Sequence, residues 1–111
     1  MKKKIRIQEN CTQYIKFPTA KRKIVIKFCL SGGKITYFSI QYLYYFNERW
    51  ERITRYDTRH GYAHKHMLHY KKRKNDRELV LGQSEKYNDI FTESLREIEE
   101  NYKKIEHNYF Y

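Results

Sequence analysis

Four of the five histidines in this chain fall inside one segment, Arg55 to His69 (RYDTRHGYAHKHMLH), with two arginines, a lysine and an aspartate around a single glycine, Gly61. Imidazole exchanges protons near neutrality and also ligates metals. Cleavage of RNA without a metal needs a base for the 2′-hydroxyl proton, an acid for the leaving oxygen and cations around the phosphorus. On an extended strand His64 and His66 would share one face about 7 Å apart, close enough to flank a phosphate. Asp57 could orient one imidazole by accepting its second N–H, and Arg55, on the same face of the preceding strand, could clamp the phosphate with its fork. The candidate catalytic set is therefore His64, His66, Asp57 and His60, and the candidate phosphate-binding set is Arg55, Arg59, Lys65, Lys71 and Lys72.

Three other uses compete for the same residues. His60-x3-His64-x-His66-x2-His69 offers enough imidazoles for a metal. Yet a regular strand points His69 away from His64 and His66, few acidic co-ligands are adjacent, and the surrounding cations repel a dication. No metal or other cofactor is expected. The histidines could also be polar occupants of a solvated sheet face, with Gly61 turning the chain. A third use is a non-catalytic cationic surface on which bases stack, with Tyr42, Tyr44, Tyr56, Tyr62 and Tyr70 as candidates.

The elements that must position this chemistry follow from periodicity. Lys3–Ile7 and Gln13–Phe17 read as short strands, the second ended by Pro18. Ile24, Ile26, Phe28 and Leu30 alternate with other residues over Lys21–Leu30, and Ser31-Gly32-Gly33-Lys34 then makes a tight hairpin turn. Ile35–Phe46 is a long central strand, Asn47-Glu48 a turn, and Trp50–Asp57 another strand. After a break at Thr58–Gly61, His64–Lys72 reads as a further strand, Lys71–Arg77 as a charged loop and Glu78–Leu81 as an edge strand. Phe91, Leu95, Ile98, Tyr102, Ile105 and Tyr109 step at helical spacing, with Ser84 as N-cap. Such a helix needs a surface for its apolar stripe. The fold class is α+β: a twisted antiparallel sheet of about four to six strands with one long C-terminal helix packed on one face.

At 111 residues the chain suits a single domain, 1–111. Its mean hydropathy is low, but twelve Tyr, six Phe and one Trp supply large buriable areas. The net charge of +11 is uneven: residues 1–83 carry 20 Lys/Arg against 6 Asp/Glu, and residues 84–111 carry 4 against 7. A basic body with an acidic final segment favours a polyanionic partner, RNA or another nucleic acid. Cys11 and Cys29 form no CxxC pair, so neither a zinc ribbon nor a disulfide framework is expected, and Cys29 reads as a small core residue. No signal peptide and no membrane-spanning run is visible, which makes a cytoplasmic protein with no membrane partner the expectation.

Arg55-Tyr56-Asp57 followed by His60-Gly61 and His64-Lys65-His66 resembles the signature of TumE-like toxins of prokaryotic toxin–antitoxin systems. Those are small α+β proteins in which an R-Y-D motif precedes a histidine-rich H-x-H or H-K-H segment and a helical C-terminus. The likeness covers roughly residues 34 to 106, with specific matches at Arg55, Tyr56, Asp57, His64, Lys65 and His66. The proline-rich intervening segment of that family is absent, and Gly61 with its flanking residues is similar to a neighbouring uncharacterised prokaryotic family. The resemblance implies a toxin acting on RNA and held in check by an antitoxin protein. The expected function is thus a small basic RNA-directed protein, a metal-independent ribonuclease of toxin type using histidine acid–base chemistry. The alternatives are a non-catalytic nucleic-acid-binding module and a structural or regulatory protein-interaction domain, with a homodimer through the helix stripe as a further use of that surface.

Overall fold

The computed structural model describes residues 10–111. Six strands, β1 (Cys11–Thr19), β2 (Arg22–Ser31), β3 (Lys34–Phe46), β4 (Arg49–Asp57), β5 (Ala63–Met67) and β6 (Arg77–Gly82), precede one helix, α1 (Tyr87–Phe110). The strands form a single antiparallel sheet in sequence order, β1-β2-β3-β4-β5-β6. Consecutive strands can pair this way because short turns join them. Gly32 and Gly33 supply positive φ between β2 and β3, while Asn47 and Glu48 adopt it between β3 and β4. The α+β architecture expected from the sequence is the one observed.

One face of the sheet is the core. Ile24 and Ile26 of β2, Phe38, Ile40 and Tyr42 of β3 and Tyr56 of β4 are buried against Ile90, Ile98 and Tyr109 of α1. Phe91 meets both Phe28 and Phe38 edge-on or tilted, and Phe110 closes the far end against Tyr44, Phe46 and Tyr70. These aromatic contacts offset the low aliphatic content. Charged side chains also bridge helix and sheet: Arg22 grips Glu106 through Nε (2.6 Å) and Nη2 (2.9 Å), Lys16 pairs with Glu99 and Lys65 with Glu97.

Several expectations need correction. β1 continues through Pro18, because it is an edge strand whose register shifts between Lys16 and Thr19, where a missing N–H is tolerated. β5 stops at Met67 and does not reach Lys72; the chain then turns to the helix C-terminus, where the Tyr70 N–H donates to the Tyr109 carbonyl at 2.7 Å. Ser84 caps no α-helix, since a 3-10 turn over Ser84–Lys86 precedes α1 and neither segment has a side-chain cap. Cys11 and Cys29 lie directly opposite across β1 and β2 and form a disulfide, which spacing alone did not indicate. The strand expected at Lys3–Ile7 lies outside the described residues. Among those described, no helix is long and apolar enough to cross a membrane.

Candidate functional site

Strand register decides which groups of the histidine segment meet. Tyr56 and its partner Lys65 face α1, so the residues on either side of them project to the opposite face. There Asp57 stands opposite His64, Arg55 opposite His66, and His66 opposite Glu78 of β6. The shared face expected for Arg55, Asp57, His64 and His66 is the one they occupy. Glu78 completes the group, and sequence reasoning missed it because the residue lies twelve positions beyond His66 and joins only through β5–β6 pairing.

His64 is the hinge of the cluster, only 1% exposed. Its Nε2 lies 2.8 Å from Asp57 Oδ1 and 3.1 Å from the Arg59 carbonyl oxygen. Both neighbours are acceptors, which assigns the proton to Nε2. Asp57 is itself fixed: Oδ1 accepts the Arg59 N–H at 3.1 Å, and Oδ2 lies 2.9 Å from Arg55 Nε. The other ring nitrogen, His64 Nδ1, stands 3.0 Å from Glu78 Oε2 and makes no aligned hydrogen bond; Arg55 Nε is likewise buried without one. Glu78 Oε2 is also 3.8 Å from His66 Nε2, and the His64 and His66 rings meet edge to face, 4.8 Å between centroids. Burial, and then the charge of Arg55, lowers the pKa of His66 and favours its neutral form.

A loop seals His64 from solvent. Thr58 is tied to β3 through both its N–H and its Oγ1, each 3.2 Å from Phe38 backbone. Positive φ at His60 (74°) and Gly61 (86°) turns the chain back, so that His60 stacks on His64 at 6.0 Å and the tilted ring of Tyr62 lies 5.3 Å from it. His60 remains exposed on the outside of this stack.

Other candidates stand apart. Arg59 contributes its backbone to the cluster. Lys65 points to the helix side, where its Nζ is 2.9 Å from Glu97, so it cannot share a phosphate with His64 and His66. Lys71 and Lys72 lie beyond the end of β5, Lys71 beside a cleft that also involves Arg49, Arg52 and Arg73. His69 is turned away, its Nδ1 3.1 Å from the Tyr70 carbonyl. Four of the five tyrosines expected to stack bases are displaced: Tyr42 and Tyr56 are buried beneath α1, and Tyr44 and Tyr70 pack on Phe110, whereas Tyr62 lies against His64.

Different aromatic rings occupy the face away from α1. Tyr37 and Tyr45 of β3 are partly exposed there, and Trp50 lies against Tyr45 and Phe17. Lys23 Nζ sits 4.6 Å from the Trp50 ring centre, and Lys27 Nζ lies 5.8 Å from that of Tyr37. By register with Leu43, Ser39 and Leu43 again, Lys23, Lys27 and Arg52 share this face.

Comparison with curated proteins finds no match, and no solved structure matches either. The TumE-like resemblance therefore rests on its motif residues alone. Residues 4–110 match a family described as a domain of unknown function (DUF7718), and the chain belongs to that family.

Proposed function

We propose that this protein binds single-stranded nucleic acid, RNA foremost, on the sheet face opposite α1. The observation that carries the reading is the way charge is divided between the two faces. Three helix-side cations are answered by the acidic helix: Lys16 by Glu99, Arg22 by Glu106 and Lys65 by Glu97. On the other face Lys23, Lys27 and Arg52 have no carboxylate partner among the described residues, so part of the chain's excess positive charge is directed outward there. Cations placed beside Tyr37, Trp50 and Tyr45 suit a backbone whose bases stack on rings while its phosphates meet ammonium and guanidinium groups.

This reading is preferred to two-histidine cleavage on physical grounds. A phosphate between His64 and His66 would meet the Asp57 and Glu78 carboxylates, and His64 offers almost no surface for it. Fluorescence anisotropy with a labelled single-stranded RNA tests the proposal. Binding should be tight at low salt, fall steeply as salt rises, and weaken in a Lys23→Ala/Lys27→Ala/Arg52→Ala variant. Absence of binding at low salt, or equal affinity in that variant, would remove the reading.

A further inference from the structure

We propose that His64 Nδ1, His66 Nε2 and Glu78 Oε2 form a binding site for a transition-metal dication of the zinc class. The three ligand atoms all lie within 4.8 Å of one another. This inference goes beyond nucleic-acid binding and stands or falls separately from it.

Donors and acceptors around His64 do not match. Nε2 of His64 carries the proton because the Arg59 carbonyl accepts there, with the Asp57 carboxylate 2.8 Å away, which leaves a lone pair on the buried Nδ1. Facing that lone pair at 3.0 Å is a carboxylate oxygen, which is also only an acceptor. Two acceptors this close, one buried and one partly exposed, are reconciled by a positive charge between them, a proton or a metal ion, and the second imidazole beside them favours the metal. A second imidazole, His66, reaches the same oxygen at 3.8 Å.

The dimensions suit zinc. Bonds of roughly 2.0–2.2 Å to nitrogen and oxygen put tetrahedral ligand atoms about 3.3 Å apart. Two of the three separations, 3.0 and 3.8 Å, bracket that edge and the third is no more than 4.8 Å, so side-chain adjustment, chiefly of His66, would complete the geometry. A His2Glu donor set favours zinc and its neighbours over magnesium or calcium, which prefer oxygen shells. The outer contacts also match: Asp57 holds the far nitrogen of His64, as carboxylates commonly do behind a metal-bound imidazole. With both imidazoles neutral, Asp57 and Glu78 outweigh Arg55 by one negative charge, which a dication would reverse. Three protein ligands leave a fourth position for water or an anion.

Calorimetric titration of Zn²⁺ into the full chain tests the site. One equivalent should bind, and Co²⁺ in its place should show the visible absorption of a tetrahedral site. His66→Ala and Glu78→Gln alter partly exposed side chains (26% and 43%), so folding should survive and can be checked by circular dichroism. Each should weaken Zn²⁺ binding by at least about tenfold, while His107→Ala, on α1, should leave it unchanged. A folded chain that takes up no stoichiometric Zn²⁺, or binds it equally well in the His66→Ala and Glu78→Gln variants, overturns the proposal.

Discussion

Two buried polar clusters occupy opposite faces of the same sheet, and they differ in completeness. Beneath α1, Glu106 accepts two guanidinium N–H groups from Arg22 and the phenol of Tyr42, so its charge is answered by aligned donors. Burial first, and then Glu106, pushes the Tyr42 phenol upward, while the hydrogen bond to Glu106 holds the Arg22 guanidinium protonated more firmly. On the other face Asp57, Arg55 and His64 are buried as deeply, yet Arg55 Nε and His64 Nδ1 have no aligned hydrogen bond. A satisfied network fastens a helix to a sheet; an unsatisfied one leaves polar groups open to water, an ion or a reacting partner. A buried arginine–carboxylate pair alone does not distinguish the two.

The largest effect is expected on the completed side. Glu106→Ala strands a half-buried guanidinium and a buried phenol, and should cost about 3 kcal/mol in chemical denaturation. Glu78→Gln removes a carboxylate from the incomplete cluster at a partly exposed position and should change stability by less than about 0.5 kcal/mol. Equal losses in the two variants would erase the distinction, because Glu78 would then be as structural as Glu106.

A smaller effect separates the faces by charge. The slope of log affinity for single-stranded RNA against log salt should fall by about one in Lys27→Ala, whose ammonium is free to meet a phosphate. Lys16→Ala should leave that slope unchanged, because Glu99 already neutralises its ammonium on the helix side. A KCl series on both variants measures this. If the two lost equally, nucleic acid would not distinguish the faces.

Local patterning made much of this fold legible, and long-range pairing accounts for the rest. Alternation through Ile24–Phe28 and Phe38–Phe46 and the stripe from Phe91 to Tyr109 require a sheet with a helix on one face, and that arrangement is observed. The shared face of Arg55, Asp57, His64 and His66 follows from period-two strands joined antiparallel. Glu78 was not legible, since its entry depends on the register of β6 after a loop whose length fixes nothing by itself. The disulfide was hidden for the same reason: Cys11 and Cys29 meet only once the β1–β2 register is known. Tyr42, Tyr44, Tyr56 and Tyr70 were misplaced because an aromatic ring fits either side of a strand covered on one face. Which side it takes depends on where the helix lands. Lys65 shows the rule at a single residue, for it sits between His64 and His66 in sequence and on the other side of the sheet in space.

Lys65 also sets the smallest and most specific expectation. Its Nζ and the Tyr56 phenol both donate to the Glu97 carboxylate on α1. Burial works to raise the pKa of Glu97, but these two hydrogen bonds, together with the charges of Lys65 and Lys104, outweigh it and hold the carboxyl below its ordinary value of 4.5. A carboxyl whose pKa is lower in the folded chain than in the unfolded one binds fewer protons when folded. The stabilisation is therefore complete above about pH 4.5 and is lost as pH falls through the folded value. Melting temperature measured from neutral pH into the acid range should show this loss in the wild type, and Glu97→Gln should flatten that acid limb while melting slightly lower at neutral pH. The effect is modest because the Glu97 side chain remains 43% exposed and solvent screens it. Parallel acid limbs in the two proteins would mean that Lys65 and Tyr56 anchor the helix without discriminating the charge on Glu97, and the electrostatic account of the helix face would then rest on the Arg22–Glu106 and Lys16–Glu99 pairs.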